Sequence, residues 1–331
     1  MAPVLLAVHA RISDIANRPG LVLRGNRLSE HGNGTIDLHT HSTASDGHLT
    51  PGMLVERASV LGLQALALTD HDTVAGIDEA WTAARQRRIS FIPGVELSTT
   101  HAGGECHILG YFLDYGSPEL QDVLGQFRQG RLTRGQDMVG RLLDLGLPLR
   151  WERVQELAQG GTVTRAHVAE ALLEAGHVVS RQEAFDLYIG HGRPAYISRF
   201  KLTPEEAVRL VRRMRGVPVL AHPTYAEPER DWTVPVDRLI PWSFLERLVQ
   251  AGLLGLEAYY GDYTAEVQAR LAGLAEHYGL TATGGSDFHG HEERPTLGCA
   301  PVPGDVFPKL IRNAQEVNSP WADAYSADSW S

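Results

Sequence analysis

Ile36-Asp37-Leu38-His39-Thr40-His41-Ser42-Thr43-Ala44-Ser45-Asp46-Gly47 is the stretch on which the fold turns. His39 and His41 stand two apart after a short apolar lead-in, and on a β-strand such a pair points to one face. Both imidazoles can therefore grip one metal ion. Asp46 follows at the strand's end, before Gly47, where the chain turns and a carboxylate can reach back to the same pocket. A lone His-x-His is weak evidence in a chain with 15 histidines. The weight comes from other strand-end His, Asp and Glu residues that recur in step.

Downstream, strand and helix alternate. Thr50 as N-cap and Pro51 at the first helical position open a helix over Pro51–Gly62. Leu63–Leu68 is an apolar run of strand length, as in a parallel strand buried on both faces. It ends in Thr69-Asp70-His71-Asp72-Thr73, at the carboxyl edge where α/β sheets keep their active sites. A helix over Ile77–Arg87 leads to Gly94-Val95-Glu96-Leu97-Ser98, a strand with a carboxylate near its end. His107 then stands in the apolar strand Glu105–Phe112. Singly, His71, Glu96 and His107 could each be a hydrogen-bonded core residue. Together they carry a desolvation cost that metal coordination would remove.

From Tyr115 to Ser198 the pattern is helical, which reads as an insertion at 115–198 splitting an α/β domain into 36–114 and 199–312. Between Glu119 and Arg199 ten Lys/Arg meet ten Asp/Glu, so the formal charge of −10 belongs wholly to the rest of the chain. Arg131, Arg134, Arg165, Arg193 and Arg199 are candidates to hold phosphates, because guanidinium forks match phosphate oxygens. Arg165 beside His167, at a helix start capped by Thr164, is the first choice. Beyond the insertion, Val217–Leu220 ends in His222, and Leu280–Gly284 leads into Ser286-Asp287-Phe288-His289, a second pair of ligand types two apart. Residues 1–35 read as an extension and 313–331 as a polar tail with scattered aromatics.

The whole chain, 331 residues with 43% hydrophobic content, can bury a large core. Its pI near 5.8 argues against a general nucleic-acid coat. Two cysteines, Cys106 and Cys299, offer no disulfide framework and fit a reducing cytoplasm. Met1–Ala10 lacks the basic lead of a signal peptide, and no run approaches membrane-spanning length. A cytoplasmic protein with no membrane association and no obligate protein partner is expected.

In order, the candidate ligands are His39, His41, Asp46, His71, Glu96, His107, His222, Asp287 and His289. Such N and O donors without thiolate suit two or three divalent ions, manganese foremost, with zinc or iron as alternatives. Asp37-Leu38-His39-Thr40-His41, Thr69-Asp70-His71-Asp72, Pro93-Gly94-Val95-Glu96, His107-Ile108-Leu109-Gly110-Tyr111, Ala221-His222-Pro223 and Gly285-Ser286-Asp287-Phe288-His289 together resemble the PHP (polymerase and histidinol phosphatase) phosphoesterase family. The resemblance implies a distorted, TIM-like (β/α)7 barrel of α/β class with an inserted helical subdomain and metals at the strands' carboxyl ends. It implies His39, His41, Glu96 and Asp287 at one ion, bridging Glu96 with His107 and His222 at a second, and Asp46, His71 and His289 at a third. No catalytic residue separate from the ligands is assigned.

With its insertion, including Thr164-Arg165-Ala166-His167 and Gly192-Arg193-Pro194, the chain looks like the subgroup that removes 3′-phosphate from nucleoside 3′,5′-bisphosphates or trims short oligonucleotides from the 5′ end. Arg165, His167, Arg193, Arg199 and Arg131 would then bind a small nucleotide or short single-stranded nucleic acid. Two alternatives stand beside this reading. A histidinol-phosphate phosphatase would use the same ligands but needs no basic lid of roughly eighty residues. A non-catalytic PHP-like scaffold would be expected to have lost ligands.

Overall fold

The computed structural model describes residues 35–101, 104–223, 240–290 and 296–325. Seven strands form one sheet in sequence order: β1 (Ile36–Asp37), β2 (Ala65–Leu68), β3 (Ser90–His101), β4 (Gly104–Tyr111), β5 (Val217–Leu220), β6 (Gly255–Tyr260) and β7 (Thr281–Gly285). β1, β2 and β3 pair in parallel, β4 runs antiparallel to both β3 and β5, and β5 to β7 are parallel again. The barrel closes through the Thr40–Phe288 bridge and hydrogen bonds from Asp287 N to His39 O and His41 N to Phe288 O. Buried Asp37 staples the seam by accepting from Ser286 N, Ser286 Oγ and Gly298 N. At this seam a Cβ on Gly285 would lie 2.4 Å from that of His39, so only glycine permits the approach.

The antiparallel β4 is the distortion in the barrel, since a hairpin needs no crossover helix between its strands. β3 is also longer than its neighbour. It pairs with β2 over Ser90–Pro93 and with β4 from Gly94 onward. Glu96 therefore sits mid-strand, not near a strand end as its sequence context suggests, yet it is level with the point where β2 has already finished.

Helices α1 (Pro51–Val60), α2 (Ile77–Arg87), α7 (Pro204–Arg213), α8 (Trp242–Ala251), α9 (Ala265–His277) and α10 (Val306–Glu316) belong to the barrel. Their ends follow local chemistry. Thr50 caps α1 by accepting from Met53 N, Thr203 and Glu206 form a reciprocal box on α7, and Gly279 at φ +66° follows the end of α9. Among the described residues no helix is long and apolar enough to cross a membrane.

The insertion holds α3 (Pro118–Asp144), α4 (Trp151–Leu157), α5 (Arg165–Glu174) and α6 (Arg181–Ala184), the last running into a wider π turn over Phe185–Ile189. α3 is one unbroken helix of 27 residues. Its first half buries Leu120, Leu124 and Phe127 in the barrel core, while Met138 and Leu142 enter a second core with Val154, Leu172 and Ile189. Arg131 and Arg134 fall between the two.

The extension before Thr35 lies outside the described residues. The segment read as a tail does not behave as one up to Tyr325: α10 runs through Glu316, and Trp321 and Tyr325 are buried. Trp321 Nε1 donates to Leu113 O at 3.2 Å, and its ring stacks on Tyr115. The scattered aromatics thus seal the barrel's lower end. Trp321→Ala is expected to cost about 3–5 kcal/mol in denaturant unfolding; a loss within experimental error would show that this segment does not contribute to the core.

Candidate metal centre

Glu96 lies at the centre of the barrel mouth, fully buried. Its Oε1 is 2.7 Å from His107 Nδ1 and 3.0 Å from His222 Nε2. Its Oε2 is 2.9 Å from His71 Nδ1, 3.3 Å from His41 Nε2 and 3.4 Å from His39 Nε2. Asp287 Oδ1 approaches His41 Nε2 at 3.0 Å and His39 Nε2 at 3.4 Å, and Asp46 Oδ1 lies 3.4 Å from His289 Nε2. All nine residues singled out by sequence thus converge on one place.

Three groups have ligand atoms mutually within 4.8 Å: His39, His41, Glu96 and Asp287; His41, Asp46, His71 and His289; and His71, Glu96 and His107. The first is the set expected for one ion. In the others His41 joins Asp46, His71 and His289, and His71 approaches Glu96 and His107. His222 stays beside Glu96 and lies 3.3 Å from His107.

The buried polar atoms fit divalent cations. His39 Nε2, both ring nitrogens of His41, Asp46 Oδ1, His71 Nδ1 and Glu96 Oε2 have no hydrogen-bond partner among the described residues. Their close approaches lack hydrogen-bond geometry, and buried polar atoms left so are costly unless something else satisfies them. Burial opposes protonating His39 and His41, but nearby carboxylates outweigh it and push both pKa values up, His41 to about 10. Burial wins at His107, which is pushed down to about 4.

A supporting layer escaped sequence reading. Glu257 on β6 is fully buried; its Oε1 lies 3.1 Å from His39 Nδ1, and its Oε2 accepts from His222 N at 2.7 Å. With Nδ1 turned to this carboxylate, His39 Nε2 is left to face Glu96. The signal available was a lone carboxylate in an apolar parallel strand. Asp70 accepts from Ser42 N, Ser42 Oγ and Ser45 Oγ and braces the turn bearing Asp46. Tyr260 OH donates to Asp287 Oδ2 at 2.9 Å.

Above the cluster a cavity of about 310 Å³ is walled on the far side by the insertion. The candidate phosphate residues divide. Arg131 and Arg199 both donate to Asp72 Oδ2, at 2.5 and 2.6 Å, so part of their charge is already matched. Arg165 pairs with Glu105 at 2.9 Å and lies against the rings of Phe185 and Tyr196. Lys201, which sequence reading missed, also pairs with Glu105. His167 lines a neighbouring cavity, and its Nδ1 accepts from Thr164 N as half of the capping box on α5. Arg193 is exposed and lines neither cavity.

Comparison with known proteins gives a consistent picture. A family model described as PHP domain matches residues 37–190. The chain is 36% identical over 255 residues, 76% of its length, to the 5′-3′ exoribonuclease Rnm of Salmonella typhimurium, covering 84% of that protein. It is 33% identical over 298 residues, 84% of its length, to the 3′,5′-nucleoside bisphosphate phosphatase of Chromobacterium violaceum, covering 99% of that protein. Among solved structures, a proposed metal-dependent phosphoesterase from Bifidobacterium adolescentis matches with a TM-score of 0.76 at 30% identity, over 85% of this chain and 96% of that one.

Burial would raise the pKa of Asp72, but Arg131 and Arg199 hold it well below the usual carboxylate range. A depressed carboxylate contributes stability above its unfolded pKa, about 4, and loses it as pH falls toward the folded value. Asp72→Asn is therefore expected to destabilise by about 3–5 kcal/mol at neutral pH, with the gap to wild type narrowing in acid. Urea unfolding at several pH values measures both, and a pH-independent gap would count against the pairing.

Proposed function

Since this chain belongs to the PHP family of metal-dependent phosphoesterases and is a phosphoester hydrolase, we propose that it acts on nucleotides. The substrate class we infer is a nucleoside 3′,5′-bisphosphate losing its 3′-phosphate, with trimming of short oligonucleotides from the 5′ end as the related activity. The carrying observation is the joining of two unlike walls in one cavity, an imidazole and carboxylate cluster on the barrel and a cationic face on the insertion. A nucleotide phosphate fits between them, and relatives named for both activities share most of the chain's length.

We assign two or three divalent ions, manganese foremost and zinc or iron as alternatives, to the nine ligand residues. His39, His41, Glu96 and Asp287 would hold one, Glu96 with His107 and His222 a second, and Asp46, His71 and His289 a third. When bound, such ions lower the pKa of water to about 7 and neutralise phosphoryl oxygens. The chain's own part is positional. Glu257 fixes the tautomer of His39, Tyr260 orients Asp287, and Asp70 holds the turn that carries Asp46. Arg165 offers a fork to the phosphate oxygens where charge spreads in the reaction. The insertion roofs the cluster and limits water. A scaffold without activity would have no need of all nine ligand residues.

Three outcomes are expected. Asp287→Ala should lower metal content and phosphatase rate together, read by elemental analysis and phosphate release; full activity would remove Asp287 from the site. EDTA should abolish turnover, and adding back single metals should restore it with a preferred ion, whereas chelator-insensitive turnover is incompatible with the mechanism. Assayed side by side, adenosine 3′,5′-bisphosphate and a 5′-phosphorylated oligonucleotide should be preferred over histidinol phosphate, with Arg165→Ala hurting kcat/KM for nucleotides more than for p-nitrophenyl phosphate.

A further inference from the structure

The cavity above the cluster has a smaller neighbour across α5. About 250 Å³ in volume, it lies between the barrel turn at 46–48, the end of α4, one face of α5 and the start of α6. That is just under the roughly 300–1,000 Å³ of a site that takes a whole drug-sized ligand, so it suits part of a substrate. Its walls are joined on purpose-made contacts. The turn after α4 is pressed onto the turn that carries Asp46: Thr162 N donates to Ala44 O at 3.0 Å, and a Cβ on Gly161 would lie 2.2 Å from Thr43 O. Asp46 and Ala166 line both cavities, whereas Arg165 lines only the first and His167 only the second. Two residues apart on a helix, these side chains leave in nearly opposite directions. A group held at the cluster beside Asp46 can therefore extend to either side of α5.

His167 gives the second cavity a directed donor. Thr164 N donates to its Nδ1 at 3.1 Å, so Nδ1 carries no proton and the ring is neutral, with its proton on Nε2. Nε2 has no hydrogen-bond partner among the described residues, although His167 is only 9% exposed and lines this cavity. A buried N–H left so is costly unless a ligand accepts from it. The charges speak against a phosphate here. Asp46 belongs to the metal ligands, Glu170 pairs with Arg181 at 3.2 Å and Glu174 with Arg153 at 2.8 Å, which leaves no cation over for an anion. His48, the remaining ionisable group on these walls, is held below its usual pKa by burial and by Arg181. Leu157 and the two imidazoles supply apolar faces, and Gln159 with the carboxylates a polar edge. A flat, neutral ring with acceptors and amino groups around its rim matches that lining, which is the chemistry of a nucleobase.

We propose that this second cavity binds the nucleobase of the substrate, with His167 Nε2 donating to an acceptor on the ring. This rests on the nucleotide reading above and names where the base goes. The phosphate undergoing hydrolysis stays beside Asp46, and the base turns to the His167 side of α5, away from the cationic wall. Every base has a ring nitrogen or carbonyl that accepts, so the contact separates nucleotides from other phosphomonoesters and does not separate one base from another.

The test compares wild type with Leu157→Trp, which fills the cavity, and with His167→Gln, which keeps a side-chain acceptor at the third helical position but loses the ring. All are metal-replete, and the substrates are adenosine 3′,5′-bisphosphate and its abasic analogue, with hydrogen in place of the base. Wild type should favour the nucleotide, mainly through KM. The ratio of the two kcat/KM values should fall about tenfold or more in Leu157→Trp and about fivefold in His167→Gln. An unchanged ratio in either folded variant, or a wild type indifferent to the base, would overturn the proposal. Should Leu157→Trp fail to fold, His167→Gln carries the test. If wild type hydrolyses neither compound, the nucleotide reading fails by itself, and saturation-transfer NMR with adenosine decides the cavity. Transfer to the base protons in wild type but not in the variants would support it, and an equal or absent signal would overturn it.

Discussion

A carboxylate stripped of water and faced by five imidazoles is the constraint from which the rest of the structure follows. Glu96 cannot be solvated where it lies, and neither can His39 or His41. Such a knot persists only if the surrounding chain is stable enough to carry it and if cations are there to resolve it. The barrel supplies the first condition through a continuous apolar core beneath the mouth and a seam stapled by Asp37. The donor set, nitrogen and oxygen without sulfur, supplies the second.

Two further carboxylates organise the approach to that knot. Asp72 and Glu105 each neighbour a ligand histidine in sequence, and each reaches across to cations of the insertion or of the strand return that follows it. Asp72 adopts a left-handed φ of +53° and Asp287 one of +55°, conformations that cost non-glycine residues of the order of 1 kcal/mol or more. At Asp287 the backbone strain accompanies a carboxylate aimed into the site, and at Asp72 one that clamps Arg131 and Arg199. Precision at the cluster is thus set against local stability.

Much of the centre could be read from sequence because its parts obey strand periodicity and strand-end placement. His39 with His41 and Asp287 with His289 are pairs two apart, and His71 and His222 each close an apolar run. What escaped were residues with no such signature. Glu257 looks like an irregularity within β6 until the fold sets it behind His39. The pairing of Arg131 and Arg199 with Asp72 joins positions 59 and 127 residues apart, and no local pattern announces it. Glu96 was placed near a strand end because the register that carries β3 beyond β2 depends on β4, whose antiparallel direction is a tertiary fact. The C-terminal aromatics likewise read as a tail because their partners, Leu113 and Tyr115, lie some two hundred positions earlier.

The division into two apolar interiors has a consequence for how such a molecule can diversify. The helices beyond Gly135 pack mostly among themselves, so most of the outer bundle can drift without touching the barrel core, while Arg165 and the bond from Thr162 N to Ala44 O tie its inner edge to the mouth. What any replacement bundle must retain is small: a basic group able to dock on Glu105 and a backbone donor for the turn that carries Asp46. A lineage could therefore exchange the roof and inherit a new diet while the hearth beneath it stays lit.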